Sequence, residues 1–257
     1  MGSGLGADAP PRNDSQPGAN LGMTNTIRDW VGFWDNPHSI YVNARHIDVH
    51  YRDIAAAIAG FVPNPQARVL DFGCGEALHA DAVARVAGTV VLSDAAPSVR
   101  KNLTERFKAV PNIAVASPDE LRAMPAGSFD LIVANSVVQY LSRADLDGLL
   151  AEWRRLLAPD GVLIVADVIP PDVGAVSDLV ALLRYAWTNG FLVASLIGVA
   201  RTALSSYSKL RQKLGIAKYT EAEFRDILTT AGFSAERLPG NMEHNPARIS
   251  FRARPKG

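Results

Sequence analysis

Asp71 closes a short apolar run and is followed at once by a glycine turn, Phe72-Gly73-Cys74-Gly75-Glu76-Ala77, while a second acid, Asp94, closes the next apolar run 23 residues later. Glycines at such a place let the backbone approach a ligand with no Cβ in the way, and ligands of open parallel sheets settle at the carboxyl ends of the strands. The acid sets the sign of the ligand: a carboxylate beside the turn repels a pyrophosphate and suits a cationic amine. A dinucleotide fingerprint is also incomplete, because its third glycine position is Leu78. Asp94 can accept two hydrogen bonds at once, as the paired hydroxyls of a ribose require, or it can cap the helix that follows.

Two histidines, His46 and His50, lie one helical turn apart in a segment that also holds Tyr41, Arg45, Tyr51 and Arg52. An imidazole can take a proton near neutral pH, and each can equally be a hydrogen-bonded structural side chain. The spacing would suit zinc, but no third ligand stands nearby and no metal is expected.

The elements that must position these groups are legible in the pattern. Nearly all-apolar runs at Ala67 to Phe72, Val90 to Ser93, Ile113 to Ala116, Phe129 to Asn135 and Gly161 to Val168 alternate with amphipathic stretches at Leu78 to Val86, Ser98 to Phe107 and Asp145 to Leu157, with a short turn at Glu120 to Arg122. This alternation predicts βαβ units around a parallel sheet. A helix is expected between Trp30 and Phe61, with Ile47, Tyr51, Ile54 and Ile58 on one face and Pro63 ending it. Thr220 and Glu223 form a capping box, and two strands near Ser234 to Leu238 and Arg248 to Arg252 close the chain. The fold expected is α/β, a Rossmann-like doubly wound, mostly parallel seven-stranded sheet with helices on both faces, an N-terminal helix and a helical cap insertion.

Residues 1–25 are rich in Gly, Pro, Asn and Ser and read as a disordered tail, within which Met23 is a second candidate start. Residues 26–66 form an N-terminal helical segment, and residues 67–257 the main domain with the cap at 177–215. Lys plus Arg and Asp plus Glu are 26 each, so no overall field draws nucleic acid or an anionic membrane. The lone cysteine, Cys74, excludes a disulfide framework and suits a buried thiol in a cytoplasmic protein.

The acid and glycine turn at Asp71, Gly73 and Gly75, the acid at Asp94, the pair Phe129-Asp130 and the turn Leu157-Ala158-Pro159-Asp160-Gly161 occur in the order found in class I S-adenosylmethionine-dependent methyltransferases, which residues 67–238 resemble. Ala77 stands for the third glycine of the family's first motif, and Asp160 for a glycine of the later turn. The resemblance implies S-adenosylmethionine as cofactor, with the methionine and adenosine portions at Asp71, Phe72, Gly73, Cys74 and Gly75, the ribose at Asp94 and Ala95, and the adenine near Ser117, Pro118 and Asp119. Asn135 and Ser136 would face the sulfonium or the acceptor. Tyr41, Arg45 and Tyr51 would close over the cofactor, with Arg45 pairing with the methionine carboxylate.

The partner implied is a small-molecule methyl acceptor. The Asn-Pro-Pro-Tyr motif of DNA-base methyltransferases is absent after Asn135, and no nucleic acid is expected. If the acceptor is a hydroxyl, His46, His50 or Tyr140 would take its proton. The insertion is expected to cap the pocket, with Trp187, Phe191, Leu192 and Leu196 presenting an apolar wall to a hydrophobic or aromatic acceptor. Tyr185 to Ala200 carries no charged residue, but its 16 residues are too few to span a bilayer and Asn189-Gly190 interrupts them, so a homodimer interface or a membrane-surface contact is the alternative use. A cofactor-binding protein without this catalysis, or an NAD-dependent oxidoreductase, are the rival functions.

Overall fold

Strands that are apolar on both faces need a cover on both sides, and the chain supplies it by crossing over with helices. The computed structural model describes residues 25–35, 41–203 and 215–256. Within these, β1 (Arg68–Phe72), β2 (Thr89–Ser93), β3 (Ile113–Ala116), β4 (Phe129–Asn135), β5 (Leu157–Val168), β6 (Phe233–Arg237) and β7 (Ile249–Pro255) form one sheet in the order β3-β2-β1-β4-β5-β7-β6. β1 to β5 pair in parallel, and β7 runs antiparallel between β5 and β6.

The helices are α1 (Asn25–Trp34), α2 (Ala44–Phe61), α3 (Ala80–Ala84), α4 (Pro97–Phe107), α5 (Pro118–Ala123), α6 (Arg143–Leu156), α7 (Ala175–Asn189), α8 (Leu192–Ala203) and α9 (Glu221–Thr230), with a 3-10 turn at Val138–Tyr140. The period of two along each strand sends neighbours to opposite faces. Val69, Leu131, Val133 and Ile164 pack with Ile54 and Ile58 of α2, Val83 of α3 and Leu103 of α4. Leu70, Ile132, Leu163 and Val165 pack with Leu146, Leu150 and Trp153 of α6 and Phe224 of α9.

Local structure departs from the sequence expectation in four places. The single helix expected from Trp30 to Phe61 is two, because Asn43 adopts an extended backbone and its side chain accepts from His46 N at 2.8 Å, starting a new helix. The helix expected at Leu78 to Val86 contracts to α3. β5 begins at Leu157 rather than Gly161, since Leu157 already pairs with Phe129 before the register shifts. The insertion begins at Ala175 rather than Ser177, while its break at Asn189-Gly190 falls where the sequence places it, with Gly190 in a left-handed φ of 75°; residues 204–214 of the expected cap, like residues 1–24, lie outside the described residues. The capping box of Thr220 and Glu223 forms.

β1 to β3 grow to one side and β4 and β5 to the other, so the connections diverge between β1 and β4 and leave a crevice at their carboxyl ends. At the opposite ends the same two strands are tied together: Asp130 accepts from Arg68 N at 2.8 Å and from its guanidinium at 2.8 and 3.1 Å. The Phe-Asp pair recognised in the sequence therefore contributes a brace outside the crevice. No helix among the described residues is long and apolar enough to cross a membrane.

Trp153 is fully buried with its ring edge-on to Phe72 at 5.1 Å, and its indole N–H has no partner. Trp153→Ala is expected to cost about 3–5 kcal/mol in stability. Trp153→Phe should cost less than the alanine variant, because a ring still fills most of the site and no hydrogen bond to a described residue is forfeited. Urea unfolding midpoints of the two variants check this; equal losses would count against it.

Candidate active site

The crevice between β1 and β4 opens into a cavity of about 900 Å³, within the usual range for small-molecule sites. Its floor is the glycine turn, where Gly73 and Gly75 hold φ of 70° and 55°. Gly73 N and Cys74 N both donate to Ser93 O, at 2.7 and 3.1 Å, which draws the turn onto the end of β2. A Cβ on Gly73 would stand 2.5 Å from Val137 Cγ2, so this position is closed to side chains by contact as well as by φ. Cys74 is buried, and burial first, then Asp71, pushes its thiol well above the usual range, as befits a packing residue.

Asp94 accepts from Gly75 N at 3.1 Å and Ala96 N at 2.8 Å, joining the turn to the loop before α4. The two readings of this residue thus meet in one side chain that lines the cavity. Asp71 also lines it and accepts no hydrogen bond from any described residue. Burial, reinforced by the charge of Asp94, raises its carboxyl to about 7. Burial likewise raises Asp94. The charge of Arg100 acts on Asp94, but its guanidinium bonds the Asp94 carbonyl at 2.7 Å and not the carboxylate, so the two carboxylates leave this half of the cavity a receptor for positive charge.

The other half is built at the tips of β4 and β5. Ser136 and Asp167 both adopt positive φ, 55° and 65°, and Asp167 lies where the β5–β7 register shifts between Val165 and Val168. Such strain in non-glycine residues persists only where surroundings over-determine it. Ser136 Oγ donates to Asp167 at 2.7 Å and has Glu243, from the β6–β7 loop, at 3.3 Å. Asp167 also accepts from Arg248 at 2.6 Å and Asn241 at 3.0 Å, and Arg248 reaches on to Asp178 of α7 at 2.9 Å.

Glu243 accepts from Asn135 Nδ2 at 2.9 Å and faces His50 Nδ1 at 3.4 Å. Burial opposes its ionisation, but the His50 charge and the surrounding donors outweigh burial and hold it well below the usual range. Burial pulls His50 down, while the charge and hydrogen bond of Glu243 more than compensate and leave it above its ordinary 6.5. The result is an imidazole on the cavity wall with one nitrogen turned to a buried carboxylate, an arrangement that fixes tautomer and ring orientation for proton transfer at the other nitrogen.

Asp71, Phe72, Gly73, Cys74, Gly75, Asp94, Ala95, Pro118, Asn135, Ser136, Tyr41, His50 and Tyr140 all line this cavity. Tyr41 and Tyr51 join their hydroxyls at 3.1 Å, and Tyr51 Oη accepts from Glu76 N at 2.9 Å, clasping α2 onto the glycine turn. Tyr140 sits in an aromatic group with Trp30 and Trp34 of α1, at 4.5 and 5.8 Å between ring centroids.

Four expected site residues stand elsewhere. His46 does not line the cavity: it is buried, stacked on Phe191 at 4.9 Å, and lowered to about 4 by burial and by His50, so it is a neutral packing residue. Arg45 donates from Nε to Asn189 O at the end of α7, since the turn at Gly190 brings that carbonyl within its reach. Ser117 caps α5 in a capping box with Glu120, and Asp119 pairs with Arg122 at 86% side-chain exposure, so neither reaches the cavity. The apolar wall expected from the insertion is also corrected. Trp187 and Leu196 are 74% and 57% exposed, Phe191 is turned to His46, and among the described residues neither α7 nor α8 lines the cavity. Trp30, Trp34 and Tyr140 supply the aromatic surface instead.

Glu243, Asp167 and the α1 tryptophans escaped the sequence reading, whereas Tyr51 lines the cavity beside Tyr41. The available signal was the polar run Asn241-Met242-Glu243-His244-Asn245 between two strands, whose Asn245 is buried.

The family described as "Methyltransferase domain" matches residues 70–165. The chain is 31% identical to nocamycin O-methyltransferase of Saccharothrix syringae over 218 residues, 77% of this chain and 76% of that protein. It is 34% identical to the ubiquinone biosynthesis O-methyltransferase of Caulobacter sp. (strain K31) over 110 residues, 42% of this chain and 43% of that one. In fold it is similar to magnesium protoporphyrin IX methyltransferase of Synechocystis PCC 6803 with bound SAH, with a TM-score of 0.54 at 17% identity over 90% of this chain and 95% of that chain.

If Glu243 holds His50 above its ordinary value, Glu243→Gln should lower the His50 titration midpoint and move His46 less, because Glu243 is the smallest of the causes acting on His46. Ring-proton NMR across a pH series reads both. An unchanged His50 would mean that the pair is not coupled.

Proposed function

Because the chain belongs to the class I S-adenosylmethionine-dependent methyltransferases, we propose that it methylates a hydroxyl of a small aromatic or otherwise apolar molecule, with His50 as the general base. The observation that carries this reading is the His50–Glu243 pair on the cavity wall. Two relatives with oxygen acceptors in their names support the choice of oxygen. The aromatic group of Trp30, Trp34 and Tyr140 supports an apolar acceptor.

Bound S-adenosylmethionine supplies a methyl group on a sulfonium, already an activated leaving group. The protein's part is then positioning, exclusion of water and disposal of one proton. Asp71 and Asp94 favour the cationic ligand, and the Asp94 carboxylate is placed for ribose hydroxyls once its present backbone donors share it. Asn135 and Ser136, held by Glu243, present the tip of β4 to the reacting centre. With the cofactor and acceptor bound, His50 would take the proton of the acceptor hydroxyl, and Glu243 would stabilise the imidazolium that results.

The charge on Asp71 links cofactor binding to pH. Its protonated form cannot attract a sulfonium or an ammonium, so affinity should fall as pH drops through about 7 and rise above it. Calorimetry with S-adenosylmethionine should show this slope in the native chain and a flat, weaker response in Asp71→Asn. A slope that survives the substitution would remove Asp71 from the site.

His50→Gln should lower kcat by about 10²–10⁴-fold with cofactor affinity retained. In the native enzyme, kcat should rise with pH through the elevated His50 value, because only the neutral ring accepts a proton. Formation of S-adenosylhomocysteine with a panel of phenols and catechols is the assay. A variant with unimpaired kcat would rule out His50 as base.

A further inference from the structure

Seven of the eight exposed large apolar side chains among the described residues lie on α7 and α8. On α7, Val176, Val180 and Trp187 share one face at helical spacing, 76%, 43% and 74% exposed; on α8, Val193, Leu196 and Ile197 do the same at 73%, 57% and 54%. This is not the face that holds the hairpin to the domain. The inner face is already engaged: Phe191 stacks on His46, Tyr185 Oη donates to Asp53 at 2.7 Å, and Ala181, Ala186 and Ser195 are buried. The hairpin thus has a second apolar face that no element among the described residues covers, on a scale that marks an interaction surface.

The charge of the sequence through and beyond this hairpin identifies its partner, and Arg184 of α7 is exposed among its cations. From residue 179 to residue 220 the sequence contains six Lys or Arg and no Asp or Glu, in a chain whose charges balance at 26 each. The remainder therefore carries 20 cations against 26 anions. Neutrality overall conceals a cationic segment centred on an exposed apolar hairpin. In a two-fold contact between copies, this segment would meet itself and repel. An anionic bilayer satisfies both features, since apolar side chains enter the interface and basic residues meet the lipid phosphates.

We propose that the outer face of the α7–α8 hairpin docks on an anionic lipid surface. Trp187, Val193 and Ile197 enter the headgroup boundary, with both helices in its plane. The inner face packs on α2, the helix that carries His50 and lines the cavity, so docking holds the cavity beside the interface, where an apolar acceptor is concentrated. The docking itself does not depend on which atom is methylated.

Co-sedimentation of the full chain with vesicles of phosphatidylglycerol and phosphatidylcholine, against phosphatidylcholine alone, tests the proposal. Binding should be at least about tenfold tighter to the anionic vesicles and should weaken with salt. Trp187→Ser with Ile197→Ser should weaken it by about tenfold or more while circular dichroism and S-adenosylmethionine binding stay native. The proposal is overturned if the chain ignores anionic vesicles or the double variant binds them as well as the native chain. It is equally overturned if sedimentation velocity finds a dimer that the double variant dissociates, since the face would then be a contact between copies.

Discussion

The site depends on neutralising two buried carboxylates, Asp167 and Glu243, that converge on one hydroxyl, Ser136 Oγ. Uncompensated, each would cost several kcal/mol to ionise in the interior. Arg248 answers the first and His50 the second, and both partners arrive from distant parts of the chain. The answer binds five pieces together: the tips of β4 and β5, the β6–β7 loop, α2 and, through Asp178, α7. The positive φ of Ser136 and Asp167 is held in place by this network.

The same cavity divides its electrostatics in two. Toward the glycine turn, Asp71 and Asp94 face each other with no cation as close as Arg248 is to Asp167, and both are raised by burial. Toward the β4 and β5 tips Asp167 meets Arg248 and Glu243 meets His50, although burial raises Asp167 as well. One half is left with carboxylates that no described side chain bonds through a cation, while the acids of the other half are paired within the protein, so the two ends of one cavity differ in the charge they can accept.

Spacing in sequence and role in space part company at His46 and His50. Both lie on α2, one turn apart, and one ring points under the hairpin to Phe191 while the other meets Glu243. Residues of equal chemistry are thus driven in opposite directions, one lowered to about 4 and the other raised, because only one has an anion beside it.

What the sequence determined by itself was local or periodic. The apolar runs specified the parallel strands because a strand covered on both faces must be apolar throughout; Gly73 and Gly75 specified the turn because positive φ excludes most side chains; Thr220 with Glu223 specified a helix start because the bonds involved span three residues. Asp71, Asp94 and Asn135 were legible as site residues because they end strands, and strand ends are where such sheets bind. Tertiary structure alone decided the rest. Ser117 and Asp119 were spent on local caps and pairs, Arg45 on a helix carbonyl, and Trp187 on the outer surface. Glu243 became a partner of His50 only because the antiparallel return of β7 carries its preceding loop across the carboxyl end of the sheet. Periodicity records which face of an element is buried, but not which other element buries it, and the pairing of charges across the chain is set by that second choice.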